Sequence, residues 1–138
     1  MIKFHDISQI EKKYAFEDAT VAADVLNGDF GVVTTGAFAV GAAASKAVMQ
    51  LEVGDNAGLA SYTIPSGSHV RVVDLTKYNG EKIEIYGAQL PATYAVGDTL
   101  ASNATGKLEV DATPIAPYFT ITKIIGNKLG VEAKIVTA

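Results

Sequence analysis

Four residues within nine positions have the chemical types of a hydrolytic set: Ser66, Ser68, His69 and Asp74. A serine nucleophile needs a histidine base and a carboxylate that converge within hydrogen-bonding distance. Ser68 and His69 are adjacent in a segment that alternates like a β-strand, so their side chains point to opposite faces. The sequence also has no Gly-x-Ser-x-Gly turn. We therefore predict an ordinary strand position for His69 and no catalytic residue. The alternative is a small hydrolase that uses His69 as its base.

The sequence contains few residues that could bind a metal or a cofactor. Asn27 and Asp29 share one turn, and Asp55 and Asn56 share another, but two oxygens do not make a calcium cage. The two histidines lack the spacing of a zinc motif. The glycines occur singly among predicted strands rather than in a loop that opens a helix, which a phosphate site would require. We predict turns at these positions, and neither a metal nor a cofactor.

The charge pattern argues against nucleic acid as the partner. The net charge is −4 and Arg71 is the single arginine, whereas nucleic-acid binders usually present a basic stripe with arginine forks. No apolar run is long enough to cross a bilayer, and the N-terminus lacks the apolar core of a secretory signal. Without cysteine the fold has no disulfides. We predict neither nucleic-acid nor membrane binding.

Along most of the chain, apolar and polar residues alternate as they do in β-strands. In residues 46–53, Ala47 and Met49 fall on one face, while Lys46 and Val48 fall on the other. In residues 81–87 the two isoleucines point inward and Glu84 points outward. Short strands of this kind recur about every ten residues, which is typical of an all-β barrel or sandwich.

Turn residues separate the strands. Asn79-Gly80 is among the strongest signals for a hairpin turn. Residues 94–110 form a predicted hairpin, in which Leu100 faces the core with Leu108 and Val110, and Gly106 has a positive φ. In the closing hairpin around residues 126–130, the core face of the first strand carries Phe119 and Ile121, with Lys123 next in the alternation.

The N-terminal segment differs from the rest. We divide the chain into an N-terminal arm, residues 1–18, and a single β-domain, residues 19–138. The arm has apolar residues separated by polar ones, strand-like at first and then spaced as in a helix. It is either a docking arm or a frayed terminus. As a docking arm it would contact a partner through Ile2, Phe4, Ile7 and Ile10.

The middle and C-terminal parts resemble the small decoration, or cement, proteins of phage heads. The resemblance rests on "YTIPSGSHVRVVDL", "IYGAQLPATYAVGDTLASNATGKLEV" and "APYFTITKIIGNKLGVEAKIV". In that family a strand leads to Val-Gly-Asp-x-Leu, a turn and Gly-Lys-Leu, as in Val96–Leu100 and Gly106–Leu108 here, and an aromatic hairpin follows. The likeness covers about residues 45–138. Extra sequence near residues 19–45 departs from the best-known members, so strand number and oligomeric state are left open.

The resemblance implies a β-tulip-like fold and a non-enzymatic virion protein. Such a protein binds the major capsid protein on the outer capsid surface, often as a homotrimer, and stabilises the expanded shell by bridging capsomers. Its N-terminal arm would dock on the shell. The alternative is another phage structural or host-adsorption module, such as a head-fibre, tail or carbohydrate-binding β-domain.

Overall fold

The computed structural model describes residues 2–4, 16–49, 63–127 and 129–137. These residues form β-strands joined by turns, with two 3₁₀ turns at Leu75–Lys77 and Gly87–Gln89. The strands are β1 (Ile2–Phe4), β2 (Glu17–Val21), β3 (Val25–Leu26), β4 (Phe30–Thr34), β5 (Ala37–Val40), β6 (Lys46–Val48), β7 (Thr63–Ile64), β8 (His69–Asp74), β9 (Lys82–Tyr86), β10 (Thr99–Ser102), β11 (Leu108–Val110), β12 (Tyr118–Ile125) and β13 (Gly130–Val136).

The strands form a closed barrel beside an open sheet. The barrel has the order β2-β5-β4-β6-β8, and the six-stranded sheet has the order β1-β9-β13-β12-β10-β11. Strands β3 and β7 form a separate small pair. The pairs within the six-stranded sheet are antiparallel, whereas β2 and β5 of the barrel run parallel. The predicted all-β fold with a small barrel or sandwich is confirmed.

Two of the predicted arm residues belong to the barrel. β2 begins at Glu17, so Glu17 and Asp18 pair with Val72 and Arg71 of β8. The rest of the division into an arm and a domain stays a prediction, because residues 5–15 lie outside the described ranges.

The strands of the barrel contribute buried residues to two hydrophobic clusters. The smaller cluster contains buried residues of the barrel strands together with one residue from each strand of the β3–β7 pair: Ala19, Val21, Val25, Phe38, Val48, Ile64, Val70 and Val72. The larger cluster fills the space between barrel and sheet and includes Ala47 and Val73 with Ile83, Ile85 and Phe119. Strands β6 and β8 thus bury both faces. Val48 lies on the face opposite to Ala47, as predicted, and it is also buried, because this face of β6 points into the closed barrel.

The Asn-Gly turn does not connect a hairpin. β8 belongs to the barrel and β9 to the open sheet, so the strands that flank Asn79-Gly80 are not paired. Gly80 has φ +84° and donates its N–H to the carbonyl of Ile135 at 2.8 Å. Asn79 Oδ1 accepts from the backbone N–H of Thr137 at 3.1 Å. The turn has the expected chemistry, but it anchors the crossover between sheets to β13.

The predicted hairpin of residues 94–110 is present as β10 and β11. Leu100 lies opposite Val110, Ser102 lies opposite Leu108, and Gly106 has φ +77°. Leu100 and Leu108 are buried as expected. Val110 is 45% exposed, because it lies on the outermost strand, where the core ends.

A register shift changes the core face of the closing hairpin. Phe119 lies opposite Ile135 and Ile121 opposite Ala133, as the alternation predicts. Between Ile121 and Lys123 the register shifts, so Lys123 is exposed while Ile124 packs against the core. Lys123, which the alternation left open as a third residue on the face of Phe119 and Ile121, does not continue that face, because a bulge inserts one extra residue into the strand.

Candidate functional site

The N-terminal strand forms one edge of the open sheet. Ile2 lies opposite Ile85, Lys3 opposite Glu84 and Phe4 opposite Ile83, in antiparallel register. The strand-like alternation of these residues is therefore confirmed. Of the predicted docking residues, Ile2 and Phe4 lie in β1, whereas Ile7 and Ile10 lie outside the described residues. Their capsid-docking role stays a prediction.

The edge that β1 covers is well suited to strand addition. β9 pairs with β13 on its other side, where Val131 lies opposite Ile85 and Ala133 opposite Ile83. Both isoleucines are fully buried. Without β1, the outer edge of β9 would present unpaired backbone groups, and such edges recruit further strands. The arrangement can therefore bind a short extended segment through its backbone.

The opposite edge of the sheet carries exposed apolar side chains. β11 is the outermost strand on this side, and Val110 at its end is exposed. The hydroxyl of Thr99 donates to the carbonyl of Asp111 and ties the start of β10 to the end of β11. Val96 (60% exposed) precedes β10 and Ile115 (71% exposed) follows β11.

A groove of about 340 Å³ opens beside the end of β9. It is lined by Gly87, by residues 90–94 and by Leu129, which lies in the β12–β13 turn. Leu129 is 73% exposed, while Leu90 and Tyr94 pack partly against the core. A wall built from Leu90, Pro91 and Tyr94 presents an apolar and aromatic surface to a ligand.

Tyr86 stands at the β9 end of this groove, one residue before Gly87. Burial, together with the hydrogen bond that its hydroxyl donates to Glu84, raises the pKa of Tyr86 to about 12. Its ring lies over Gly130, where an added Cβ would come within 2.3 Å of a ring carbon. Gly130 is thus required for the close approach of β13 to Tyr86.

A buried polar cluster joins the barrel to the sheet. Asp29, 4% exposed, accepts at Oδ2 from the N–H of Leu26 at 2.9 Å, and its Oδ1 contacts Nζ of Lys107. The fully buried Gln89 donates to Asp29 Oδ1 at 3.4 Å and to the carbonyl of Asn27 at 3.1 Å. The carboxylate is therefore neutralised and hydrogen-bonded internally, which is what a buried charge requires. We interpret this cluster as structural.

Sequence reasoning found only half of this cluster. It placed Asn27 and Asp29 in a turn, and a turn is present there. Nothing in the local pattern indicated Gln89 or Lys107, which lie 60 and 78 residues from Asp29. The one signal that included Lys107 was the Gly-Lys-Leu triplet of the family resemblance.

A second ionic group is partly exposed on the barrel wall. Lys46 lies 2.9 Å from Glu17 and 3.2 Å from Asp74. Burial lowers the pKa of Lys46, but the hydrogen bonds to the two carboxylates outweigh it and give a net rise. Burial likewise raises the pKa of Asp74, but hydrogen bonds from Thr76 and Lys46 bring it below its ordinary value. The group holds β2, β6 and β8 together.

The residues of the hydrolytic set engage different partners. His69 begins β8 as an exposed residue, and its Nδ1 lies 3.3 Å from Asp18 in a pair whose side chains are exposed at 74% and 72%. Ser66 donates from its hydroxyl to the carbonyl of Ala22 at 2.9 Å. Asp74 is bonded to Thr76 and Lys46, as described above. The structure thus gives His69 the strand position that the sequence predicts.

Within the ranges that the structure describes, no three His, Cys, Asp or Glu side chains cluster as metal ligands would. The same ranges contain no helix with the length and apolarity needed to cross a bilayer. Comparisons with protein-family models, with curated proteins and with solved structures found no match.

Proposed function

We propose that this chain is a structural protein of a phage virion that binds the outer capsid surface and stabilises the expanded shell by bridging capsomers. The observation that carries the proposal is the position of Ile2–Phe4, an N-terminal strand added to the outer edge of a sheet. The family resemblance of residues 45–138 and the acidic, arginine-poor composition support it. An acidic protein on the outside of a shell would not compete for the packaged DNA.

The physical basis of the proposed function is preferential binding. A protein that binds the expanded shell and not its precursor stabilises the expanded state by mass action. Many copies with modest contacts add through multivalency. The major capsid protein is the proposed partner, with a homotrimer as the proposed unit and the arm residues Ile2, Phe4, Ile7 and Ile10 as contacts.

The test is cosedimentation of the purified chain with expanded shells of the cognate major capsid protein. The full chain should pellet with the shells in saturable amounts, and deletion of residues 1–15 should abolish this binding while the circular dichroism of the β-domain is retained. A matched control replaces the exposed Lys123, which is remote in sequence from the arm, with alanine. Undiminished binding by the truncated protein would refute the role of the arm, and failure of the full chain to bind would refute the function.

The groove beside Tyr94 favours a second candidate function, that of a host-adsorption module that binds carbohydrate. Aromatic and apolar walls stack on sugar rings. Saturable binding of the isolated protein to host cells or a glycan array, lost in Tyr94→Ala, would support this candidate. Absence of such binding, with capsid binding intact, would exclude it.

A further inference from the structure

The connectivity of the open sheet sets β1 apart from its neighbours. The other five strands of this sheet come from one stretch, Lys82–Val136, whereas β1 comes from the N-terminus. The barrel strands, from β2 to β8, lie between them in sequence. The chain therefore leaves the sheet after Phe4, builds the whole barrel, and returns to the sheet at Lys82. The sheet can receive its β1 strand from any chain that carries one.

A segment of twelve residues connects β1, which has only three residues, to the barrel. Residues 5–16 separate Phe4 from Glu17. A fully extended chain of this length spans at most about 40 Å. β1 has three residues, and among the described strands it pairs with β9. Its detachment would break one short edge ladder.

We propose that β1 is exchanged between copies, so that Ile2–Phe4 of one molecule pairs with β9 of a neighbouring molecule. The occupant of this edge is a second copy of the chain, because the structure already shows that Ile-Lys-Phe fits β9 in register. The ladder is the same within and between molecules, so exchange costs no pairing energy. Protein concentration and the geometry of the link then decide which form is populated.

Exchange of this kind has a consequence for symmetry. The donated strand and the accepting edge are different surfaces, so the contact is heterologous unless two molecules swap reciprocally. A one-way contact gives a ring if the rotation between neighbouring copies closes, and an open filament if it does not. The inference concerns the isolated protein and requires no capsid, so it stands or falls separately from the proposed function.

The experiment uses the absence of cysteine from the sequence. Lys3 lies directly opposite Glu84, and a disulfide can bridge such opposed positions of an antiparallel pair. Lys3→Cys and Glu84→Cys are made as separate variants, mixed, unfolded, refolded together and oxidised. Exchange predicts a disulfide between residues 3 and 84 of different molecules, seen as a band at twice the 14.4 kDa of one chain and located by peptide mass mapping.

Two controls make the outcome decisive. The double variant Ala101→Cys/Glu109→Cys places the pair within one hairpin and should give internal disulfides only. Deletion of residues 1–4 should reduce the mass measured by light scattering from a multiple of 14.4 kDa to that of one chain. No 3–84 link in the mixture, or a Lys3→Cys/Glu84→Cys double variant that forms the link only within one chain, would overturn the proposal.

Discussion

Asp29 links the barrel to the sheet through its buried carboxylate. Its carboxylate is buried, and it accepts hydrogen bonds from the barrel turn, from Gln89 and from Lys107. Removal of one partner from a buried ion pair leaves the other charge without compensation, whereas removal of both can be nearly neutral. The cluster is therefore a strongly coupled unit.

We predict that Asp29→Ala lowers the free energy of unfolding by about 3 kcal/mol. Lys107→Met should cost a similar amount, about 3 kcal/mol, because it leaves the carboxylate of Asp29 buried without a cation. The lysine side chain is 25% exposed, against 5% for that of Asp29. The double variant should lose less unfolding free energy than the sum of the two single losses, as measured by urea denaturation. Lys123→Met, at an exposed lysine, is the control, and simple additivity would contradict the coupling.

Substitution of Gly106 and of Gly36 by alanine allows the cost of a strained backbone to be separated from the cost of a steric clash. Both have nearly the same positive φ, +77° and +76°, but a Cβ on Gly106 would lie 2.8 Å from the Phe30 carbonyl and from Val40, whereas Gly36 has open space. We predict a loss of about 1 kcal/mol for Gly36→Ala and about 3 kcal/mol for Gly106→Ala. Thermal unfolding of both variants tests this. Equal losses would show that the hairpin turn does not press on β4.

Tyr86 gives the protein a specific alkaline sensitivity. Its pKa is raised from 10.0 to about 12 by burial and by the hydrogen bond to Glu84, so the folded state favours the protonated phenol. The stabilisation is complete below the ordinary pKa of 10.0 and is lost as the pH rises to about 12. We predict that the denaturation midpoint of the wild type falls more than that of Tyr86→Phe over this range. Parallel pH curves for the two proteins would refute the assignment.

At the scale of elements, β6 and β8 keep the predicted alternation but bury both of their faces. Ala47 and Val73 face the cluster between barrel and sheet, while Val48 and Val72 face the barrel interior. Alternation separates the two faces of a strand, but it does not show that both are buried. In β9 the alternation also separates a buried face from a less buried one, since the central glutamate lies between two buried isoleucines.

Because both faces of β6 are buried, the effect on stability of truncating Val48 can be compared with that of truncating an exposed valine. Val48 is fully buried, whereas Val32 of β4 is 42% exposed. We predict that Val48→Ala lowers the free energy of unfolding by about 2 kcal/mol. Val32→Ala should change it by less than about 0.5 kcal/mol. Urea denaturation measures both, and a small effect at Val48 would mean that the barrel interior is loosely packed.

At the scale of the whole molecule, the barrel and the sheet share one core. Phe30 of β4 and Phe119 of β12 meet edge to face, with ring centroids 5.5 Å apart. The larger cluster contains residues from both parts, among them Val73 and Ile83. Neither part can lose its packing without exposing apolar surface on the other.

We therefore predict that the barrel and the sheet unfold in one cooperative transition. Backbone circular dichroism and tyrosine fluorescence should give coincident curves, because Tyr78 is buried in the shared cluster. If β1 is exchanged between copies, the midpoint should also rise with protein concentration. Two separate transitions would contradict the shared core, and a concentration-independent midpoint would count against exchange.

What the sequence by itself determined is local. Backbone sterics and the two-residue period of a strand act over a few residues, so the isoleucines of β9, the positive φ of Gly106 and the Asn79-Gly80 turn could be predicted from their neighbours. The all-β class follows from the recurrence of such segments. Only the tertiary structure decided which strands pair, that the Asn-Gly turn joins two sheets, and that Lys107 neutralises Asp29. These contacts join residues far apart in the chain, and they depend on the closure of the barrel and its packing against the sheet.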